Sequence, residues 1–84
     1  MRRNGTVAGI NPNRGMVAIA TDEGFTIVEI ASGWAINVGD EMAWEDGYHI
    51  GPTIFENLSK SSREGVFVKN HHVGESELDA QLLR

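Results

Sequence analysis

The chain has 84 residues, with seven Lys and Arg against twelve Asp and Glu, for a formal net charge of -5 at pH 7. That length holds one domain, and a 40% apolar content is enough for a small core and too much for a disordered chain. The lack of cysteine excludes a disulfide framework, a thiolate metal site and a cysteine nucleophile. No apolar run approaches the ~18 residues of a membrane-spanning helix. Met1-Arg2-Arg3-Asn4 has no apolar stretch behind it, as a secretory signal would. A single soluble domain, cytoplasmic and without membrane contact, is the expectation.

Ten glycines and two prolines divide the chain into apolar segments of mostly five or six residues. That spacing suits strands and is too short for helices. Thr6-Val7-Ala8-Gly9-Ile10 is the first, closed by the turn Asn11-Pro12-Asn13-Arg14-Gly15. Met16-Val17-Ala18-Ile19-Ala20 is the second, closed by Thr21-Asp22-Glu23-Gly24. Phe25 to Ile30 is the third, and the three form an antiparallel meander. A looser stretch, Ala31 to Val38, follows. Gly33 and its shortness argue for a loop or a single turn rather than a helix. Glu41 to Glu45 is a strand with Met42 and Trp44 on one face. Asp46-Gly47 is a turn, and Tyr48 to Pro52 is irregular. In Thr53 to Leu58, strict alternation sets Glu56 beside Ile54 and Leu58, so a bulge or an early strand end is expected there. Ser59 to Gly65 is a polar loop, and Val66 to Asn70 is the last strand. Ser76, with Asp79 three residues on, can cap a short helix that places Leu78, Leu82 and Leu83 near one face. A helix this short must dock or fray.

Strands this short each have one face to bury, and an open sheet would leave that face and two edges exposed. Closure removes both problems. The pattern predicts an all-β fold: a small five-stranded antiparallel OB-like barrel over 1–75, with 76–84 as a short C-terminal helix or a tail.

The opening resembles the cold-shock domain. Gly5-Thr6-Val7, Asn11, Arg14-Gly15 and Ile19 are similar to its Gly-x-Val, Asn, basic-Gly and closing Ile. Asp22-Glu23-Gly24 falls where that family turns, and Ile27-Val28-Glu29 falls on its third strand. Val38-Gly39-Asp40-Glu41-Met42 resembles the Gly-Asp strand start of related OB domains. The resemblance covers about the first half of the chain and implies a barrel that binds single-stranded nucleic acid. The family's stacking platform is absent. Gly9, Ile10, Met16 and Ala18 stand near its aromatic positions, Glu29 near its His, and Ala8 near its Lys. Such stacking is worth about 1–3 kcal/mol per base.

From Met16 through Ser59 the chain has no Lys or Arg and eight acids. In an OB barrel the first and last hairpin loops flank the ligand groove, which would bring Arg14, Lys60 and Arg63 to one rim. Alternation along the third strand turns Phe25, Ile27 and Glu29 outward, so Phe25 and Phe67 are candidates for an exposed apolar patch. Trp34 and Trp44 read as core or crossover anchors. His71 and His72 would face opposite sides on a strand and could share a metal only in a loop, and no third ligand stands at metal-binding spacing. No nucleophile–base pattern or phosphate loop is present, and no cofactor or enzyme activity is expected. Two functions stay open. One is binding of single-stranded nucleic acid through Arg14, Phe25, Lys60, Arg63 and Lys69. The other is a protein-interaction or assembly domain, which the acidic balance and the missing platform favour.

Overall fold

The computed structural model describes residues 2–30, 33–45 and 47–78. Six strands succeed one another: β1 (Arg3–Asn11), β2 (Met16–Thr21), β3 (Gly24–Ile30), β4 (Glu41–Trp44), β5 (Gly51–Asn57) and β6 (Ser62–Val73). They close into an antiparallel barrel in the order β1-β2-β3-β6-β5-β4. The expected all-β barrel is therefore present, with six strands in place of five. Two three-stranded meanders are joined by a crossover that is non-helical over its described residues 33–40.

Alternation builds the interior. Val7, Val17, Ile19, Val28, Met42, Trp44, Phe55, Val66 and Val68 point into one cluster, joined by Ile36 from the crossover. At its centre the Trp44 and Phe55 rings stack, with centroids 4.4 Å apart and planes at 3°. The Trp44 indole N–H donates to the Gly47 carbonyl at 3.0 Å, so its one polar group is satisfied in the core. Trp34 packs on the edge of this cluster and donates to Ser62 Oγ at 3.1 Å, anchoring the crossover to the start of β6.

Three expectations are corrected. In β5 no bulge forms, and the strand ends at Asn57, one residue short of Leu58. Phe55 and Asn57 point inward while Ile54 and Glu56 share the outer face, so Ile54 is 55% exposed. β6 runs twelve residues and takes in Ser62 to Gly65 of what read as a polar loop, leaving Ser59 to Ser61 as a turn. A long strand can wrap from β5 to β3 because irregularities opposite Ile27 and between Ile27 and Phe25 bend it. Lastly, Ile27 does not face solvent. Met16, Ala18, Ile27 and Val73 form a second buried cluster on the outside of β2 and β3, with Phe25 and Leu78 packed against it. The end of β6 and the residues after it cover that face. The covering segment contains a 3-10 turn, Glu75–Glu77, whose N-cap is Gly74. Ser76 lies inside that turn and is not its cap. The rest of the expected C-terminal helix, 79–84, lies outside the described residues, as does Asp46 of the expected Asp46-Gly47 turn.

Gly5 shows why the first glycine of the opening motif is a glycine. A Cβ there would stand 2.5 Å from the Ala20 carbonyl oxygen and 2.7 Å from Ile19 Cγ2. Strand β1 is pressed between β2 and β4 at this point. Gly5→Ala is expected to destabilise the barrel by about 1–3 kcal/mol through overpacking. Phe55→Ala should cost about 3–5 kcal/mol through the cavity it leaves. Urea denaturation checks both, and a Gly5→Ala variant as stable as the parent would contradict the packing described.

Candidate functional site

Strand directions put the β1–β2 turn, the crossover and the β5–β6 turn at one end of the barrel. Arg14, Lys60 and Arg63 thus share that end, as the sequence suggested, but their side chains serve three different places. Lys60 belongs to the structure. Its Nζ donates to Asp40 Oδ2 at 2.8 Å and to Asn37 Oδ1. The same Asp40 oxygen accepts Asn57 Nδ2 and the Asn37 backbone N–H, each at 2.9 Å. Asn57, fully buried, returns its own Oδ1 to the Lys60 backbone N–H at 3.1 Å. This clasp ties the crossover to the end of β5 and the turn after it. Its hydrogen bonds, that of Lys60 foremost, hold the Asp40 carboxyl down at about 2, against an ordinary 3.8.

Lys69 is also engaged. Its Nζ lies 3.6 Å from Glu29 and 5.1 Å from the Phe67 ring centroid. Phe25 is half-buried in the second apolar cluster, so it is not part of an exposed patch with Phe67. Phe67 itself is 44% exposed. It stands on the outer face of β6, opposite Pro52 on β5 and Glu29 on β3. Two residues earlier Gly65 faces Ile54, and two before that Arg63 faces Glu56. The result is a shallow groove of about 870 Å³ on the outside of the barrel. Its floor is Gly65, its walls Ile54 and Phe67, and its charged rim Arg2, Arg63, Glu29, Glu45 and Glu56. Arg2 bridges Glu45 at 3.1 Å and Glu56 at 3.3 Å. These contacts raise the pKa of the guanidinium further, the Glu45 bond most.

Arg14 lines a different hollow. Between the β1–β2 turn, the end of β3 and the crossover lies a pocket of about 460 Å³. Four of the six described cations make ion pairs: Arg2, Arg3, Lys60 and Lys69. Arg14 and Arg63 make none with a described residue.

The opposite end carries a polar cluster that the sequence did not announce. Tyr48 donates its hydroxyl to Glu23, and Arg3 reaches Glu23 at 2.5 Å and Asp22 at 3.4 Å. Arg3 also lies 5.0 Å from the Tyr48 ring centroid. The Tyr48 bond, then Arg3, lowers the Glu23 pKa, and Glu23 raises that of Tyr48. His71 and His72 flank the ring, at 5.8 and 4.8 Å between centroids. They sit in the bulge at the end of β6, where His72 adopts φ of 56°. His71 Nε2 donates to the His49 carbonyl at 2.9 Å, which leaves Nδ1 to accept the Thr26 hydroxyl at 3.0 Å. His72 Nδ1 bonds the Glu23 carbonyl. These imidazoles are tied to backbone and to Thr26, and the described residues hold no group of three or more metal ligands. Only the bulge brings the two rings to one side, and no sequence signal marks a bulge of this kind.

No protein-family model, curated protein or solved structure matches the chain. None of the described helices is long and apolar enough to cross a membrane.

The Asp40 clasp makes stability pH-dependent. Its carboxyl has a lower pKa folded than unfolded, so its contribution is complete above about pH 4 and is lost as pH falls through about 2. Thermal melts from pH 5 to pH 2 should show a declining midpoint. Asp40→Asn should melt lower at pH 5 and should flatten that decline. An unchanged slope in the variant would mean that other carboxylates govern acid unfolding.

Proposed function

We propose that the protein is a binding module, without catalytic activity, that assembles with a second copy of itself through the outer face of β5 and β6. One observation supports this reading: the outer face of β6 sets Arg63 and Phe67 on either side of Gly65, so a two-fold contact there would pair unlike residues. Gly65 lies midway between Arg63 and Phe67 on β6, two residues from each. Strand geometry puts about 6–7 Å between Gly65 and either neighbour. A two-fold axis through Gly65 sets Arg63 of one copy over Phe67 and Glu29 of the other. The exposed Ile54 side chains meet beside the axis. Arg63 has no ion pair of its own with a described residue, so this contact would supply its partner. The rim holds cations and anions in near balance on a molecule of net charge -5, so two copies meet there without strong repulsion.

Single-stranded nucleic acid is the competing reading. The cold-shock-like opening supports it, as do Arg14 and Arg63, which make no ion pair with a described residue. Against it stand the ion-paired Lys60 and Lys69, the half-buried Phe25, and a net charge of -5 over the whole molecule.

Sedimentation equilibrium over a dilution series tests the assembly. A monomer–dimer equilibrium is expected, weakened at least tenfold in Arg63→Glu and in Glu29→Arg, and restored when the two are combined. Phe67→Ser should dissociate it. A strict monomer at high concentration overturns the proposal. So does a dimer that none of these changes affects. Trp emission titrated with oligo-dT should stay flat, and salt-dependent quenching would instead favour the nucleic-acid reading.

A further inference from the structure

The pocket at the crossover end of the barrel is distinct from the β5–β6 face. It opens at the mouth of the barrel, a common position for small-molecule sites, and its volume falls within their usual range of about 300–1,000 Å³. Its walls are Ile10, Ile30, Ile36 and the Trp34 indole. Trp34 is held in place by its bond to Ser62 and by the core beneath it. Pro12 stiffens the turn that forms the rim. The wall thus presents a preformed apolar and aromatic surface, which limits the ordering cost of binding.

The rim carries a single charge. Arg14 lines the pocket, and no carboxylate does so among the described residues. In a chain where twelve acids face seven bases, Arg14 stands beside an apolar hollow with no carboxylate among the described lining residues to compete for it. A guanidinium fork matches a planar carboxylate with two parallel hydrogen bonds. A phosphate dianion would need more donors, and the lining adds only the Asn13 amide and backbone groups of the turn. We infer that this pocket binds a small organic acid, an apolar or aromatic group seated against Trp34 and the isoleucines with its carboxylate on Arg14.

The test uses 3-phenylpropionate, with 3-phenylpropanamide as its neutral isostere and 2-phenylethylamine as the cation. Amide chemical shifts of the labelled protein are followed during each titration, together with Trp emission. The acid should give saturable shifts concentrated in residues 10–15, 30 and 33–36, and should bind about tenfold or more tightly than the amide. The amine should bind weakest. Arg14→Gln should erase the preference of acid over amide, and Arg14→Lys should keep part of it. Arg14 is exposed in a turn, so both variants should melt like the parent. Equal affinity for acid and amide overturns the inference. So do shifts that map to β5 and β6, and so does a lack of saturation at millimolar probe.

Discussion

One carboxylate oxygen ties the long crossover to the barrel. Asp40 Oδ2 accepts bonds from a backbone N–H, an amide and an ammonium group, drawn from the crossover, β5 and the turn before β6. A chain of two meanders has a single long connection, and that connection must be fixed if the sheet is to close. The clasp fixes it, and the crossover then adds its own backbone bonds to β1, with Val7 N–H donating to Asp40 and Gly39 N–H to Val7. Removing one member strands the others in a part-buried site, which costs more than the bonds themselves return. Both proposed surfaces lie on elements that this closure positions: Trp34 and Ile36 on the crossover, and the hairpin of β5 and β6.

The charge distribution follows from the same economy. Acids outnumber bases, and the described cations are mostly absorbed: Lys60 by the clasp, Arg3 by Asp22 and Glu23, Arg2 by Glu45 and Glu56, Lys69 by Glu29. Exposed pairs of this kind contribute little to stability, but they decide what the surface offers to a ligand. Of the rim of Arg14, Lys60 and Arg63 that the sequence suggested, two guanidinium groups are left, each beside an apolar concavity.

Much of the fold was legible in the chain. Short β-branched segments, glycine turns and alternation in β4 led to a closed all-β barrel, with Trp44 and Trp34 as anchors. The site was less so. Alternation says which residues share a face, and it does not say whether a second layer covers that face. Ile27 and Phe25 therefore read as exposed, because the end of β6 and Leu78 arrive from far along the sequence to cover them. The conflict at Glu56 was real, and its resolution was the reverse of the expected one: the strand stays regular and Ile54 turns outward. Lys60 could not be told from a ligand contact, since its partners Asn37 and Asp40 lie more than twenty residues away or at that distance. The bulge that gathers His71 and His72 around Tyr48 depends on strand register, which only the closed sheet sets.

The second apolar layer gives the barrel an uneven wall. β2 has Val17 and Ile19 toward the interior and Met16 and Ala18 beneath the outer cover, so it is shielded from water on both sides. In the strand order β5 stands diametrically across from it, and there one sheet alone separates the stacked rings of the core from solvent. The molecule is two apolar layers deep along one flank and one along the other. Any contact made on the thin flank presses almost directly on Phe55 and Trp44, so an indole deep in the interior is well placed to report optically on events outside.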